Sequence, residues 1–461
     1  MKYASLSSVV LLLINFGIGC AIAQHWENVE FTRTVDLSRS YVHEALQLTI
    51  RNIGDEADNL YMLPFTAEVA DSLSAVSCML KDKNIFIDCA LTNQFEELPN
   101  GQKLQYGAVK LPGLLQPQGE VELVISYSYN TNRYPVPARI EMMDVQTLVL
   151  ETESLPLSQY PTDKFTLNII GTNSIEKLDE EKSKNSKRKS GSYSFTTDDV
   201  TEPFTFERSK FLYEHNLPLT RAANLNREAW VSHWASTIEF KEDYDLVNDA
   251  AELASGFSRS KFMMNGLGKK PSHALVALDM ILPEDSHSHY YTDLVGMVST
   301  SKIFASHYIL KPRFPIYGGW KFNFTIGWTN PLSNYLKVLS DEEYILSVPL
   351  LQGPQDIFYD SVNLSVYLPE GAMIEEVQVP VMNYTSDTSY AHSYFDLTSG
   401  HTKVTIEMKN LNEELKDAPV FLKYRYSKSE LLRKPASIAI YVFVALFSLF
   451  LIKQIQLIIT A

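Results

Sequence analysis

The sequence predicts a mainly β ectodomain of two sandwich-like domains, carried on one C-terminal transmembrane α-helix. Three observations lead there: short segments alternating apolar and polar side chains recur along most of the 461 residues, long amphipathic helical patterns are scarce, and Pro435 to Ile452 carries no charge. Period-two alternation marks half-buried strands, whereas a run apolar on every side is unlike the surface helix of a soluble protein.

Taken in chain order, the first element is a secretory signal. Lys2 is followed by an apolar run from Val9 to Ile22 and then Ala21-Ile22-Ala23 before Gln24. That run is shorter than the ~20 residues a membrane span needs, so cleavage between Ala23 and Gln24 is expected. Cleavage removes Lys2 and Cys20 and takes the formal net charge from −15 to −16. Such acidity argues against nucleic acid as a partner.

The ~410 residues that follow exceed what one hydrophobic core usually supports, so residues 24–222 and 223–432 are expected to form two lumenal domains. Leu46 to Ile50, Val121 to Tyr127, Phe165 to Ile169, Val362 to Tyr367 and Lys403 to Met408 read as half-buried antiparallel strands. Weak internal echoes support two units. VEF, four residues and DL (Val29 to Leu37) are matched by IEF, four residues and DL (Ile238 to Leu246), and ELVISYSY (Glu122 to Tyr129) by VFLKYRY (Val420 to Tyr426).

Cys78 and Cys89 flank a turn-like stretch and are candidates for a disulfide across a hairpin, in keeping with an oxidising compartment. The basic stretch from Lys182 to Ser190 reads as a solvated loop, since a secretory signal excludes nuclear targeting. N-x-S/T triplets at Asn323, Asn363 and Asn383 are candidate glycan acceptors.

The last element is the membrane helix, residues 433–456. Pro435 to Ile452 alone covers about 27 Å, close to the ~30 Å of a bilayer core. A tail of residues 457–461 is expected on the cytosolic side, with the bulk of the chain in the lumen. The result is a single-pass type I protein.

Catalytic signatures do not accumulate. His43-Glu44 lacks the second histidine of a zinc-peptidase helix, Asp243-Tyr244-Asp245 falls in a strand-and-turn pattern, and His287 and His289 have no further ligand at a convincing spacing. No G-x-S-x-G or P-loop is present.

Four segments stand in order through the second half: NREAWVSHW (Asn226 to Trp234), YYTDLVGMVSTS (Tyr290 to Ser301), RFPIYGGW (Arg313 to Trp320) and LPEGA (Leu368 to Ala372). On these, and more loosely on VDLS (Val35 to Ser38), VELVISY (Val121 to Tyr127) and YPT (Tyr160 to Thr162), the chain resembles the ribophorin I family in its fungal-type short form. The resemblance implies the large, non-catalytic subunit 1 of the oligosaccharyltransferase complex of the endoplasmic reticulum membrane. That complex transfers a glycan from dolichyl diphosphate to Asn in N-x-S/T sequons. The implied partners are the multi-spanning catalytic subunit and small membrane subunits, with nascent polypeptides a further candidate. No cofactor or metal on this chain is implied. Read without the resemblance, the same residues also fit an anchored ectoenzyme or a receptor or adhesion ectodomain. In each case Trp230 and Trp234 are expected to anchor the second core, and Gly318-Gly319 to provide a turn around which Phe314, Tyr317 and Trp320 pack.

Overall fold

A computed structural model describes residues 25–454 except 75, 99–100, 179–185, 190, 206, 382, 394–395, 397–399 and 417. Ala23, Gln24 and the tail expected at 457–461 lie outside the described residues. Strand dominates, and all five segments expected as alternating strands lie within strands. Before the long C-terminal helix, the α-helical pieces among the described residues are the short Ala67–Asp71 and Arg259–Met264.

Why these residues form strands is visible in Val42–Asn52, where Val42, Leu46, Leu48 and Ile50 face inward and are buried while their neighbours are not. Each such side chain contributes about 1.5–3 kcal/mol on burial. The inward row is interrupted by Glu44, which is also buried, so that carboxylate needs a partner inside the core.

The strands build one arrangement twice. In the first half an eight-stranded sheet runs, from edge to edge, Ser186–Lys189, Ser192–Thr197, Thr162–Ile170, Trp26–Asp36, Val42–Asn52, Glu120–Tyr129, Ser77–Leu80, Ile85–Ile87. In the second half the equivalent order is Tyr384–Ala391, His401–Leu411, Phe358–Glu370, Thr220–Ser232, Thr237–Asn248, Lys321–Pro331, His287–Asp293, Gly296–Met297. Each sheet contains one parallel pair, Trp26–Asp36 with Thr162–Ile170 and Thr220–Ser232 with Phe358–Glu370. A four-stranded and a three-stranded sheet accompany each, again with matching strand order.

The duplication is therefore real, but its register differs from the one the echoes suggest. The strand bearing VEF opens the first copy and the strand bearing IEF is the second strand of its copy; the counterpart of Trp26–Asp36 is Thr220–Ser232. Both opening strands carry a bulge at the same place, between Asn28 and Glu30 and between Ala222 and Asn224, and both then present a buried arginine, Arg33 and Arg227. Likewise VFLKYRY matches not Glu122 to Tyr129 but Arg208–Glu214, each lying second in its four-stranded sheet. The copy begins at Thr220, so a division at 222/223 falls inside its first strand.

Each copy has its own core, one drawn from residues between Trp26 and Ala250 and the other from residues between Ala222 and Tyr426. They touch through polar contacts. Ser40 donates its backbone N–H to Asp356 Oδ1 at 2.8 Å, His43 Nδ1 lies 2.9 Å from Glu414, Arg39 pairs with Glu413, and Asn410 donates to the Asp71 carbonyl at 2.8 Å.

The basic stretch expected as a loop contributes an edge strand, since Ser186–Lys189 pairs with Ser192–Thr197. Residues 182–185 and 190 lie outside the described residues. An edge strand rich in lysine is a common guard against unwanted strand pairing.

Candidate functional site

Two buried ion pairs mark equivalent places in the two copies. Arg33 donates from Nε and Nη2 to both oxygens of Glu44 at 2.8 and 2.7 Å, and the Tyr127 and Tyr129 hydroxyls donate to the same carboxylate at 2.8 and 2.6 Å. Burial alone would raise the Glu44 carboxyl, but Arg33 and the two tyrosines hold it below its ordinary value. In the second copy Arg227 pairs with Glu242 directly across the strands and donates to Gln352 Oε1 at 2.5 Å, under the faces of Phe240 and Trp328. Burial pulls this guanidinium down to about 10, which leaves it charged at neutral pH. These pairs hold sheets together and consume Glu44 structurally, so His43-Glu44 is not free for metal chemistry.

The other catalytic-looking residues are equally committed. Asp243 binds Lys241 and the Thr325 hydroxyl, and Asp245 accepts from Asn323 at 2.5 Å, on the outer face of a strand. His287 and His289 contact their own loop at Asp285 and Ser286.

The chain's exit toward the membrane is built more tightly. Strand Pro419–Arg425 and helix Lys428–Gln454 are separated only by Tyr426 and Ser427, and Tyr426 still belongs to the second core. Ser427 caps the helix, its hydroxyl accepting from the Glu430 N–H at 3.3 Å and its carbonyl from Leu431 N–H at 3.1 Å. From Ile438 to Ile452 nearly every large apolar side chain of the helix is exposed, and its length and composition suffice to cross a membrane.

Three side contacts clamp the first turns of the helix to the ectodomain. The Trp234 indole N–H donates to the Leu431 carbonyl at 2.7 Å, Lys428 reaches Asp341 at 3.3 Å, and Lys434 reaches Asp396 at 2.6 Å and Glu370 at 3.8 Å. Burial would raise the Asp396 carboxyl, but Lys434 keeps it below its ordinary value. Gly371 has φ +88°, a left-handed conformation that favours glycine, and it packs against the Glu430 side chain at the start of the helix.

Between clamp and sheet lies a cavity of about 350 Å³, lined among others by Trp230, His233, Trp234, Glu370, Tyr426 and Arg433. Trp230 stacks on Tyr367 at 3.7 Å. His233, packed among Tyr344, Tyr424 and Tyr426, is pushed down to about 4 by burial and is neutral at pH 7. Neither tryptophan expected in the core lies there: Trp230 is half-buried on the outward row of its strand, between buried Ala229 and Val231, and Trp234 is 58% exposed, its indole holding the helix. Two of the four segments that carry the family resemblance, NREAWVSHW and LPEGA, thus meet at the root of the anchor. RFPIYGGW forms a small separate core in which Tyr317 and Phe314 pack on Trp320, with Gly318 against the Ala250 carbonyl.

Cys78 does not face Cys89 across a hairpin. It pairs with Ile87, and Cys89 begins a strand of the neighbouring three-stranded sheet. The side chains still meet, both as thiols in this structure, and their hydrogen bond raises the Cys78 thiol and lowers that of Cys89. Of the sequons, Asn383 and Thr385 are exposed beside an edge strand. Asn323 and Asn363 lie on inner strands with their amides engaged, Asn363 donating to Asn226 at 3.0 Å.

Comparison with known proteins gives one consistent answer. The family model described as Ribophorin I matches residues 26–453. A Schizosaccharomyces pombe relative named dolichyl-diphosphooligosaccharide–protein glycosyltransferase subunit 1 is 27% identical over 91% of this chain and 93% of its own length. Similar proteins from Arabidopsis thaliana (subunit 1A) and Caenorhabditis elegans (subunit 1) are each 25% identical, covering 94% and 91% of this chain and 71% and 70% of theirs. Among solved structures, native leukotriene A4 hydrolase from Saccharomyces cerevisiae overlaps 42% of this chain and 30% of its own, at 10% identity and a TM-score of 0.29, which carries no argument.

Proposed function

This chain belongs to the ribophorin I family, and from that premise we propose its function: it is a subunit of the oligosaccharyltransferase complex. It supports transfer of oligosaccharide from dolichyl diphosphate to Asn of N-x-S/T sequons in nascent proteins. The observation that carries this reading is the match over nearly the whole chain to relatives named as subunit 1 of that glycosyltransferase. An independent ectoenzyme or adhesion receptor is not favoured.

The role we assign within the complex is that of a fixed scaffold, with catalysis in the multi-spanning subunit. A flexible linker would let the ectodomain wander, yet here two residues join core to anchor and side chains clamp the first turns. The ectodomain therefore sits at a set height and tilt above the bilayer. We place it in the lumen of the endoplasmic reticulum as two domains, where its faces meet other subunits and incoming polypeptide. Asn323, Asn363 and Asn383 are proposed as its own glycan acceptors. The two on inner strands would have to be modified before the sheet closes, because their amides are then occupied.

Protease treatment of sealed microsomes tests the topology: residues 24–430 should be protected until detergent is added. Digestion without detergent would overturn the lumenal assignment. Depletion of the chain should lower occupancy of at least some sequons across secretory glycoproteins. Unchanged occupancy in all of them would remove its support of the transfer reaction.

A further inference from the structure

We propose that the cavity at the root of the anchor binds the zwitterionic headgroup of a phospholipid in the leaflet next to the ectodomain. The inference goes beyond the subunit assignment and rests on the reading that Lys428–Gln454 spans the membrane. It starts from depth. Glu430, Leu431, Arg433 and Lys434 line the cavity and lie immediately before the uncharged run that opens at Pro435. At 1.5 Å per residue they stand within about 8 Å of the hydrocarbon edge, and the headgroup layer of one leaflet is ~5–8 Å thick. The cavity opens where headgroups are.

Its chemistry selects among them. A volume of about 350 Å³ falls within the ~300–1,000 Å³ typical of small-molecule sites. The aromatic side chains Trp230 and Trp234 line it, and Glu239, directly opposite Trp230 across the strands, adds an exposed carboxylate. Aromatic faces beside a carboxylate suit an ammonium. Arg433, 45% exposed, binds Glu430 through Nη1 at 2.9 Å; among the described residues Nε and Nη2 have no partner and can take a phosphate.

Charge balance decides between headgroup classes. Glu239, Glu370 and Glu430 face Arg433 and Lys434, and Lys434 is already held by Asp396 and Glu370. His233 in the floor is neutral. A lipid with net negative charge would meet a surplus of carboxylates, whereas one carrying both an ammonium and a phosphate meets a counterpart for each. Bound there, the lipid would fill the gap beneath Trp234 and brace the anchor against the sheet.

The test uses the full-length chain in mild detergent, offered palmitoyl-oleoyl phosphatidylcholine or, in a parallel arm, the phosphatidylglycerol of the same acyl chains. Lipid retained after gel filtration is counted by mass spectrometry. Wild type should keep phosphatidylcholine in clear preference. Glu239→Gln with Arg433→Gln, both exposed and outside the clamp, should lose it about fivefold or more, the size of loss expected when a charged headgroup loses a charge-assisted partner. The variant should keep the wild-type melting profile, and Lys453→Gln at the far end of the helix should retain lipid as wild type does. Soluble glycerophosphocholine is the competitor: displacement identifies the headgroup as sufficient, and lack of displacement with loss in the double variant identifies the intact lipid. Either outcome supports the site. Equal retention of both lipids, or equal retention by wild type and variant, overturns it. Alkaline extraction of the same membranes keeps the premise separate, since a chain that stays integrated but shows no lipid preference loses only the site.

Discussion

Replacing Arg227 by Met should destabilise the second copy severely, and replacing Glu242 by Leu in the same chain should restore most of the loss. Both side chains are fully buried and face each other across paired strands. With Arg227 gone, Glu242 keeps, among the described residues, only the Tyr244 hydroxyl at 2.7 Å, and Gln352 Oε1 loses the Arg227 donor. Removing one partner of a buried pair costs about 3–5 kcal/mol, because the other charge stays desolvated and unmatched. The guanidinium also lies 4.7 Å from the Phe240 ring centre, a contact worth roughly 0.5–2 kcal/mol. For a unit of about 200 residues each kcal/mol moves the melting temperature by ~2–4 °C, so with both losses Arg227→Met should lower it by roughly 7–28 °C. Thermal unfolding of the full-length chain in detergent, followed by tryptophan fluorescence, reads this directly, since Trp328 is buried beside the pair. In the double variant no charge is stranded, and apolar replacements of buried pairs are often neutral. A single variant that melts within about 2 °C of wild type would refute the reasoning, as would a double variant as weak as the two single losses combined.

Inserting four Gly/Ser residues between Tyr426 and Ser427 adds a flexible span of ~11 Å; membrane integration should persist while recovery of partner subunits falls, as read by detergent co-purification. The contact between the copies should depend on pH. Glu414 hydrogen-bonds His43 and raises it above its ordinary 6.5; burial would raise Glu414, but His43 holds it below its ordinary 4.5. The histidine's contribution is full below 6.5 and is lost as pH rises through its raised value, and the glutamate's is full above 4.5 and is lost as pH falls through its lowered one. Hydrogen exchange at residues 36–45, corrected for chemical rate, should therefore be slower near pH 6 than near pH 8. The Cys78 and Cys89 side chains interact, and if an oxidising compartment joins them, chain isolated without reductant should resist iodoacetamide until reduced. Immediate labelling of both would show them unpaired. Glycosidase mapping should find Asn383, exposed at a sheet edge, occupied most fully, and Asn383→Gln should leave the melting temperature unchanged.

Much of the fold was legible because alternation is a strong local signal: Leu46 to Ile50 and Val362 to Tyr367 show their inward rows without any tertiary information. The register of the duplication was not. Phe31 and Phe240 made VEF and IEF look equivalent, yet inward positions constrain only volume and polarity, so true counterparts such as Val35 and Ala229 share no obvious likeness. A better key stood in the sequence, a charged residue at an inward position of an apolar row, Arg33 between Phe31 and Val35 and Arg227 between Leu225 and Ala229. Trp234 misled for a related reason. Four residues apart in one strand the two indoles would share a face, but the strand ends at Ser232 and the second indole turns out toward the anchor. The cavity itself unites residues as far apart as Trp230, Glu370 and Arg433, and no local pattern announces such a meeting.

The account depends most on this chain standing inside a glycan-transferring membrane assembly as a structural member. Affinity purification of the tagged full-length chain in mild detergent, with the co-purifying proteins identified and assayed for peptide glycosylation, tests that directly. We expect a stable complex that contains a separate multi-spanning subunit and transfers glycan from dolichyl diphosphate to an N-x-T peptide. Recovery of the chain alone, or a purified chain that performs the transfer without partners, would contradict it.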